Sequence, residues 1–458
     1  MTMTTARASF FLLAVPAFAF VVALGISHKD SQLGGLAVAA ALVVAAAGLA
    51  LLSGIKIASY FLRVNRHLLL AIFRPGLYIT LIAVAVLVLA HAALLVGTTV
   101  IFFVVFGGHG AIGVVVGKIL IPATIGALVG VVAMFRASTG LVNEAWTMVL
   151  GVVLPKRDHP LLWGLVEDVA RKIGASPPKH IVAGLEPNFF VTDVNVLCMD
   201  EQYKNAQLAS QTMYISFPLC RILTSEEFAS VIGHELGHYI GLDTHYSRKF
   251  YPIYRGTVAS LAAIGRTTGR GARGLALLPA VSVLSFFLES FAVAERTIGR
   301  ERELAADAVA ARDSGTRVLA AALVKIHAFS ACWHPALQAM ADAMKEKKPD
   351  VNLSLIFAES ASQSAGRSAL QGLDDQRLPH PTDSHPPLSV RLETLGISVA
   401  DVAETALRTA PESRAITLIE NHEKLERALT EIQWRHIALA AVATHLNQAN
   451  SKATRGGA

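Results

Sequence analysis

The sequence predicts an α+β protein, mainly α, in which N-terminal transmembrane helices precede a globular domain with a small sheet. Three observations carry that reading. Of 458 residues, 53% are hydrophobic and only 16% are charged, too apolar a balance for a wholly soluble chain. The longest apolar runs fall in the first third. After about residue 155 the pattern changes to amphipathic periods broken by turn-forming residues.

The apolar runs come first. Ser9–Ile26, Gly34–Leu52, Leu77–Phe106 and Ala111–Phe135 each approach or exceed the roughly 20 helical residues needed to cross a hydrocarbon layer of about 30 Å. None contains Asp or Glu, and Lys118 is their one formal charge. Arg7 and Ala17-Phe18-Ala19 give the first run a faint look of a cleavable signal, but it stays apolar past that site and reads as a retained span. Residues 1–135 are therefore expected to form a membrane domain of four transmembrane helices.

Charge sets the orientation. The loop between the second and third runs carries Lys56, Arg63, Arg66 and Arg74 with no acid, and Arg136, Lys156 and Arg157 follow the fourth. The alternate loops hold Lys29 offset by Asp30, and the uncharged stretch 107–110. The positive-inside bias places the N-terminus, the second loop and everything after the fourth run in the cytoplasm, the arrangement of a protein of the bacterial inner membrane. The net charge of +6 has the same origin. No basic stripe interleaved with aromatics accompanies it, which argues against nucleic acid as a partner. Cys198, Cys220 and Cys332 lack CxxC spacing and are odd in number, so they predict buried thiols.

In the globular part, Leu161–Ile173 reads as an amphipathic helix ended by Gly174 and Pro177-Pro178. Ile181–Leu185, a stretch around Phe189–Cys198, and Met213–Phe217 read as strands. A further helix opens at Ser225-Glu226-Glu227, with Phe228, Val231, Ile232 and Leu236 as its apolar stripe. This order puts an edge strand beside that helix, where it would hold an extended substrate through main-chain hydrogen bonds.

The same helix carries His234-Glu235-Leu236-Gly237-His238. Residues four apart share a face, so both histidines can turn a ring nitrogen toward one metal ion, and Glu235 is placed to take a proton from a metal-bound water. The third ligand has two candidates. His245 lies near a glycine turn at Gly241, but the register that would return a histidine to the metal holds Thr244. Glu303 lies in the Ala-rich helical stretch Arg296–Arg312, four residues before Asp307. There Glu303 would bind the metal, while Asp307 would accept the second ring N–H of a ligating histidine.

These elements together resemble the M48 family of membrane metallopeptidases, the HtpX and CAAX-protease Ste24 relatives. Tyr214–Gly241, YISFPLCRILTSEEFASVIGHELGHYIG, is similar to the family's strand, turn and metal helix. Arg302–Asp307, RELAAD, matches its Glu-x-x-Ala-Asp element, and Ser384-His385-Pro386-Pro387 with Arg391 matches its His-Pro element. Pro187-Asn188-Phe189 stands where the family has Asn-Ala-Phe before its edge strand, with phenylalanine replacing alanine. The resemblance covers roughly residues 155–395 and implies a gluzincin-type metallopeptidase fold. It implies one Zn²⁺ per chain on His234, His238 and Glu303, with Glu235 as general base and Asp307 behind a histidine ligand. His385 and Arg391 become oxyanion donors, and Asn188 marks the substrate's edge strand. The implied activity is a zinc endopeptidase acting on membrane or membrane-proximal polypeptides, in quality control or processing. The alternative is a non-proteolytic membrane scaffold or chaperone-like protein with a structural metal, against which the intact Glu235 argues.

The expected metallopeptidase domain is thus 136–395, with an apolar, membrane-proximal segment at 250–294. Leu275–Ala294 is the core of that segment. His234 and Glu303 must lie on one side of the membrane, so the chain between them crosses an even number of times. A buried or interfacial helix pair with Phe250–Ile264 is favoured, because a full hairpin would export Arg266, Arg270 and Arg273. Lys345–Asp383 reads as a mobile cover over the cleft. In the C-terminal region 396–458, Glu412–Leu446 reads as a long helix and Ser451–Ala458 as a disordered tail.

Overall fold

Three of the apolar runs become long helices. The computed structural model describes residues 3–62, 66–106, 146–199, 205–209, 211–240, 272–348, 350–373 and 386–455, with isolated positions between 114 and 132. The chain divides into two compact units, Met1–Ala145 with Lys249–Ile298, and Trp146–Arg248 with Gly299–Ala458. The apolar segment near 281–292 packs with the N-terminal helices, and residues after 396 share the core of the second unit.

The first unit holds α1 (Met3–Ser27), α2 (Ser31–Leu62) and α3 (Arg66–Phe106), each long and apolar enough to cross a membrane. The fourth expected span lies mostly outside the described residues. Pro16 sits inside α1 and lacks the N–H that would bond the Leu12 carbonyl. His91 of α3 takes its place, with Nε2 2.8 Å from that oxygen. At Gly48 of α2 a Cβ would stand only 3.3 Å from Leu12 Cβ, so the missing side chain lets α2 approach the same turn. Phe73 of α3 packs against Phe287 and Phe291, at centroid distances of 5.8 and 5.6 Å. Those two rings belong to a single helix, Ala272–Ser314, that contains the whole Leu275–Ala294 run. Its described apolar part, Val281–Ala292, is shorter than a crossing. The expected partner Phe250–Ile264 lies outside the described residues.

The second unit has two small sheets. β1 (Thr147–Leu150), β5 (Val196–Met199) and β6 (Asn205–Leu208) form one, in the order β1-β5-β6. β2 (Val152–Val153), β3 (His180–Gly184), β7 (Thr212–Ser216) and β4 (Phe190–Thr192) form the other, in the order β2-β3-β7-β4. β3 runs parallel to β7 and β4 antiparallel to it, Phe190 facing Tyr214. The stretch expected as one strand around Phe189–Cys198 is therefore two, β4 and β5, in different sheets.

Helix α4 (Pro160–Ile173) ends at Gly174, whose φ of 74° closes the last turn. Its buried face, with Leu162, Val166 and Val169, meets Ile181, Met213 and Ile215 of the sheet and Phe228, Ile232 and Leu236. α5 (Phe217–Ile222) leads into α6 (Ser225–Gly237). The cap of α6 is Thr224, one residue earlier than expected. Thr224 Oγ1 accepts the Glu227 N–H at 3.0 Å, and Glu227 Oε2 accepts the Thr224 N–H at 2.8 Å, a reciprocal capping box.

The remaining helices are α7 (Ala272–Ser314), α8 (Thr316–Ser330), α9 (Trp333–Lys345), α10 (Leu353–Gln363), α11 (Leu388–Leu395), α12 (Val399–Ala406) and α13 (His422–Arg455). α10 corrects the expected mobile cover. Leu353, Phe357 and Ala361 are four apart and fully buried, so 353–363 is a core helix, while 374–385 lies outside the described residues. α13 starts later than expected, after Asn421 at a φ of 56°, and continues to Arg455 into the stretch read as a tail. Its Glu426 receives Arg221 Nε at 2.7 Å and Asn352 Nδ2 at 2.9 Å. The segment before α13 pairs with the start of α6: Ser225 N–H donates to Ser413 O, and Ala415 N–H donates to Leu223 O, both at 3.0 Å. The three cysteines are buried thiols.

Candidate metal centre

Small residues bring two helices together. A Cβ on Gly237 of α6 would lie 3.2 Å from Ala306 Cα of α7, and one on Gly233 would lie 3.6 Å from Ala310 Cα. At that approach the polar residues beside Gly233, Gly237 and Ala306 meet. One donor atom each from His234, His238 and Glu303 falls within 4.8 Å of the others. His238, in the turn that ends α6, keeps an α-helical backbone, so the four-residue spacing still places both rings on one face.

The distances suit a tetrahedral ion. His234 Nε2 lies 3.4 Å from Glu303 Oε2, and His238 Nε2 lies 3.5 Å from Glu303 Oε1. Ligands about 2.1 Å from zinc in tetrahedral geometry stand about 3.4 Å apart. Two imidazoles and one carboxylate are also a donor set zinc accepts while keeping a coordination position open. The residues present therefore fit the ion.

Behind the first histidine, Asp307 Oδ1 lies 2.8 Å from His234 Nδ1. Burial alone would lower the His234 pKa, but the hydrogen bonds to Asp307 and Glu303 outweigh it and raise the ring to about 10. His234 could hold an ion through one ring nitrogen while the other keeps its proton for Asp307. Burial would raise Asp307, yet hydrogen bonds from Arg391 and His234 hold its carboxyl well below the usual range.

Glu235, the residue after His234, is 5% exposed on α6. Arg391, on α11, is 3% exposed. Its guanidinium lies on Asp307 and within 3.3 Å of His234 Nδ1. There it supports the Asp307 carboxylate. His385 and His245 lie outside the described residues. β4 is one of the two edge strands of its sheet, and Tyr239 Oη donates to Thr192 O at 3.2 Å, tying the strand to the turn after His238. Asn188 stands just before β4, and its Oδ1 accepts the N–H of its neighbour Phe189 at 2.9 Å. Tyr239 escaped the sequence reading, although its place next to His238 was the available signal.

Comparison with known proteins adds a family. The profile of peptidase family M48 matches residues 162–397. A protease HtpX homolog of Pyrobaculum calidifontis is 28% identical over 228 residues, covering 48% of this chain and 62% of the relative. One of Archaeoglobus fulgidus is 27% identical over 235 residues, covering 50% and 64%. Protease HtpX of Legionella pneumophila is 28% identical over 187 residues, covering 38% and 60%. The chain thus spans less than two thirds of each of these relatives. No solved structure matches.

Proposed function

Because the chain belongs to peptidase family M48, we propose that it is a membrane-anchored zinc endopeptidase of membrane or membrane-proximal polypeptides, serving quality control or processing. The observation that carries the reading is the convergence of His234, His238 and Glu303 with Glu235 beside the first of them. A purely structural metal has no use for that carboxylate.

In this reading His234, His238 and Glu303 hold the ion, and Asp307 fixes the ring of His234 by accepting its Nδ1–H. Zinc bound there supplies a water nucleophile at neutral pH and Lewis-acid stabilisation of the carbonyl oxygen. Glu235 takes the proton of the attacking water and returns it to the nitrogen of the departing amine. β4 offers its outer main-chain groups to an extended substrate, which positions the scissile bond beside α6. His385 keeps the oxyanion role that the family resemblance implies, and Arg391 acts through Asp307. The three long apolar helices anchor the chain in a bilayer, and Lys56, Arg63, Arg66 and Arg74 favour a cytoplasmic catalytic face in a bacterial inner membrane.

The test uses the full chain in detergent with casein as a generic substrate. The expected result is one zinc per chain and cleavage that Glu235→Gln abolishes without loss of zinc. Cleavage unchanged in Glu235→Gln overturns the mechanism, and zinc binding without any cleavage favours the scaffold.

A further inference from the structure

A buried cation that belongs to no ligand sits at the foot of the metal helix. Lys325, on α8, is 0% exposed. Its ammonium donates to Glu227 Oε2 at 2.7 Å, to Arg408 O at 2.9 Å and to Ile222 O at 3.2 Å. Three donors meet three acceptors, so the group is satisfied in full. The acceptors come from the end of α5, the first turn of α6 and the segment after α12.

Glu227 is what links this cation to the chemistry. It is the capping-box acid of α6, is 2% exposed, and shares Oε2 between Lys325 and the Thr224 N–H. Its Oε1 is buried and meets no hydrogen-bond partner among the described residues. Such a carboxylate depends on the neighbouring charge, since burial of an uncompensated ion is strongly unfavourable. Glu227 and His234 are seven residues apart and so lie on nearly the same face of α6. A shift in the first turn therefore passes along a rigid helix to the ligand.

Resting on the zinc reading above, we propose that Lys325 is a positioning residue of the metal site. It neutralises Glu227 and pins the start of α6 to α5 and to the segment after α12, which fixes where His234 and His238 stand relative to Glu303. Lys325 touches no ligand and no reacting atom. Its effect is on metal affinity and turnover, through Glu227.

The test measures zinc affinity by chelator competition and casein cleavage in the full chain. The variants are Lys325→Met, Lys325→Arg and the pair Lys325→Met with Glu227→Gln. Lys325→Met is expected to lose about ten- to a hundredfold in zinc affinity, the usual scale for groups that orient ligands. Its kcat should fall with little change in KM, and amides of residues 225–238 should exchange faster with solvent. Lys325→Arg, which keeps the charge, should recover part of the loss. The double variant should regain stability, because no buried charge is left unpaired, yet keep most of the loss in zinc affinity, because the tether is gone. Wild-type zinc affinity and kcat in a folded Lys325→Met would overturn the proposal. If Lys325→Met does not fold, the double variant decides: a tenfold or greater loss of zinc affinity supports the proposal, and near-wild-type affinity overturns it. A wild-type chain that takes up no zinc would instead sink the reading of function on which this rests.

Discussion

Arg391 grips Asp307 through two hydrogen bonds, Nε to Oδ2 at 2.8 Å and Nη2 to Oδ1 at 2.6 Å. Asp307 in turn faces His234 Nδ1 at 2.8 Å. A relay of three side chains thus runs from α11 to His234 on α6.

Replacing Arg391 with Met leaves Asp307, which is 1% exposed, without its partner. Breaking a buried pair from one side costs about 3–5 kcal/mol. Denaturant titration of Arg391→Met should show a loss of that order, together with weaker zinc binding. A variant as stable as the parent would show that the pair does not hold the site.

The same pair sets a pH dependence in the zinc-free protein. Asp307 has a folded pKa held below the unfolded value near 3.9. Its contribution is therefore present in full above the unfolded value and is lost as pH falls toward the folded one. As the carboxylate is protonated, the stability gap between wild type and Asp307→Asn should narrow below about pH 4. A gap that widens below that pH contradicts the sign.

Gly237→Ala should separate α6 from α7. The added Cβ would stand 3.2 Å from Ala306 Cα and 3.3 Å from Ala306 Cβ, and overpacking of this kind costs about 1–3 kcal/mol. Zinc affinity is expected to fall with stability. Ala306→Gly in the same chain should restore part of both, as isothermal titration and thermal melting would show.

In the membrane unit, His91→Leu removes the donor that serves the Leu12 carbonyl. A loss of about 1–2 kcal/mol in detergent is expected. Pro16→Ala restores the native helix amide and should reduce the penalty of His91→Leu. Equal penalties in both backgrounds would mean that His91 does not serve that carbonyl.

What the sequence made legible is what periodicity and spacing encode. Apolar runs gave α1–α3, Gly174 gave the end of α4, and residues four apart put His234 with His238 and Glu303 with Asp307. The harder features depend on partners distant in the chain. Arg221 and Glu426 look like ordinary surface charges until α5 and α13 meet. Lys325 sits in an apolar helix with no local hint of its three acceptors. Phe189–Cys198 has one uninterrupted β-like character, so the split into β4 and β5 is set by which sheet each half joins. Nothing in the sequence shows that Arg391 and Asp307 are close enough to pair.

The pairing of Ser413 and Ala415 with the start of α6 has a consequence for the timing of synthesis. Both histidines leave the ribosome well before Asp307, Arg391 and the segment that borders their helix. The nascent chain therefore carries His234 and His238 for some time without Glu303, Asp307 and Arg391 and without the outer support of their helix cap. The group is complete only once residue 415 has been made, long after the N-terminal apolar helices. A chain that stops before Glu303 holds the two histidines without the carboxylate that faces them.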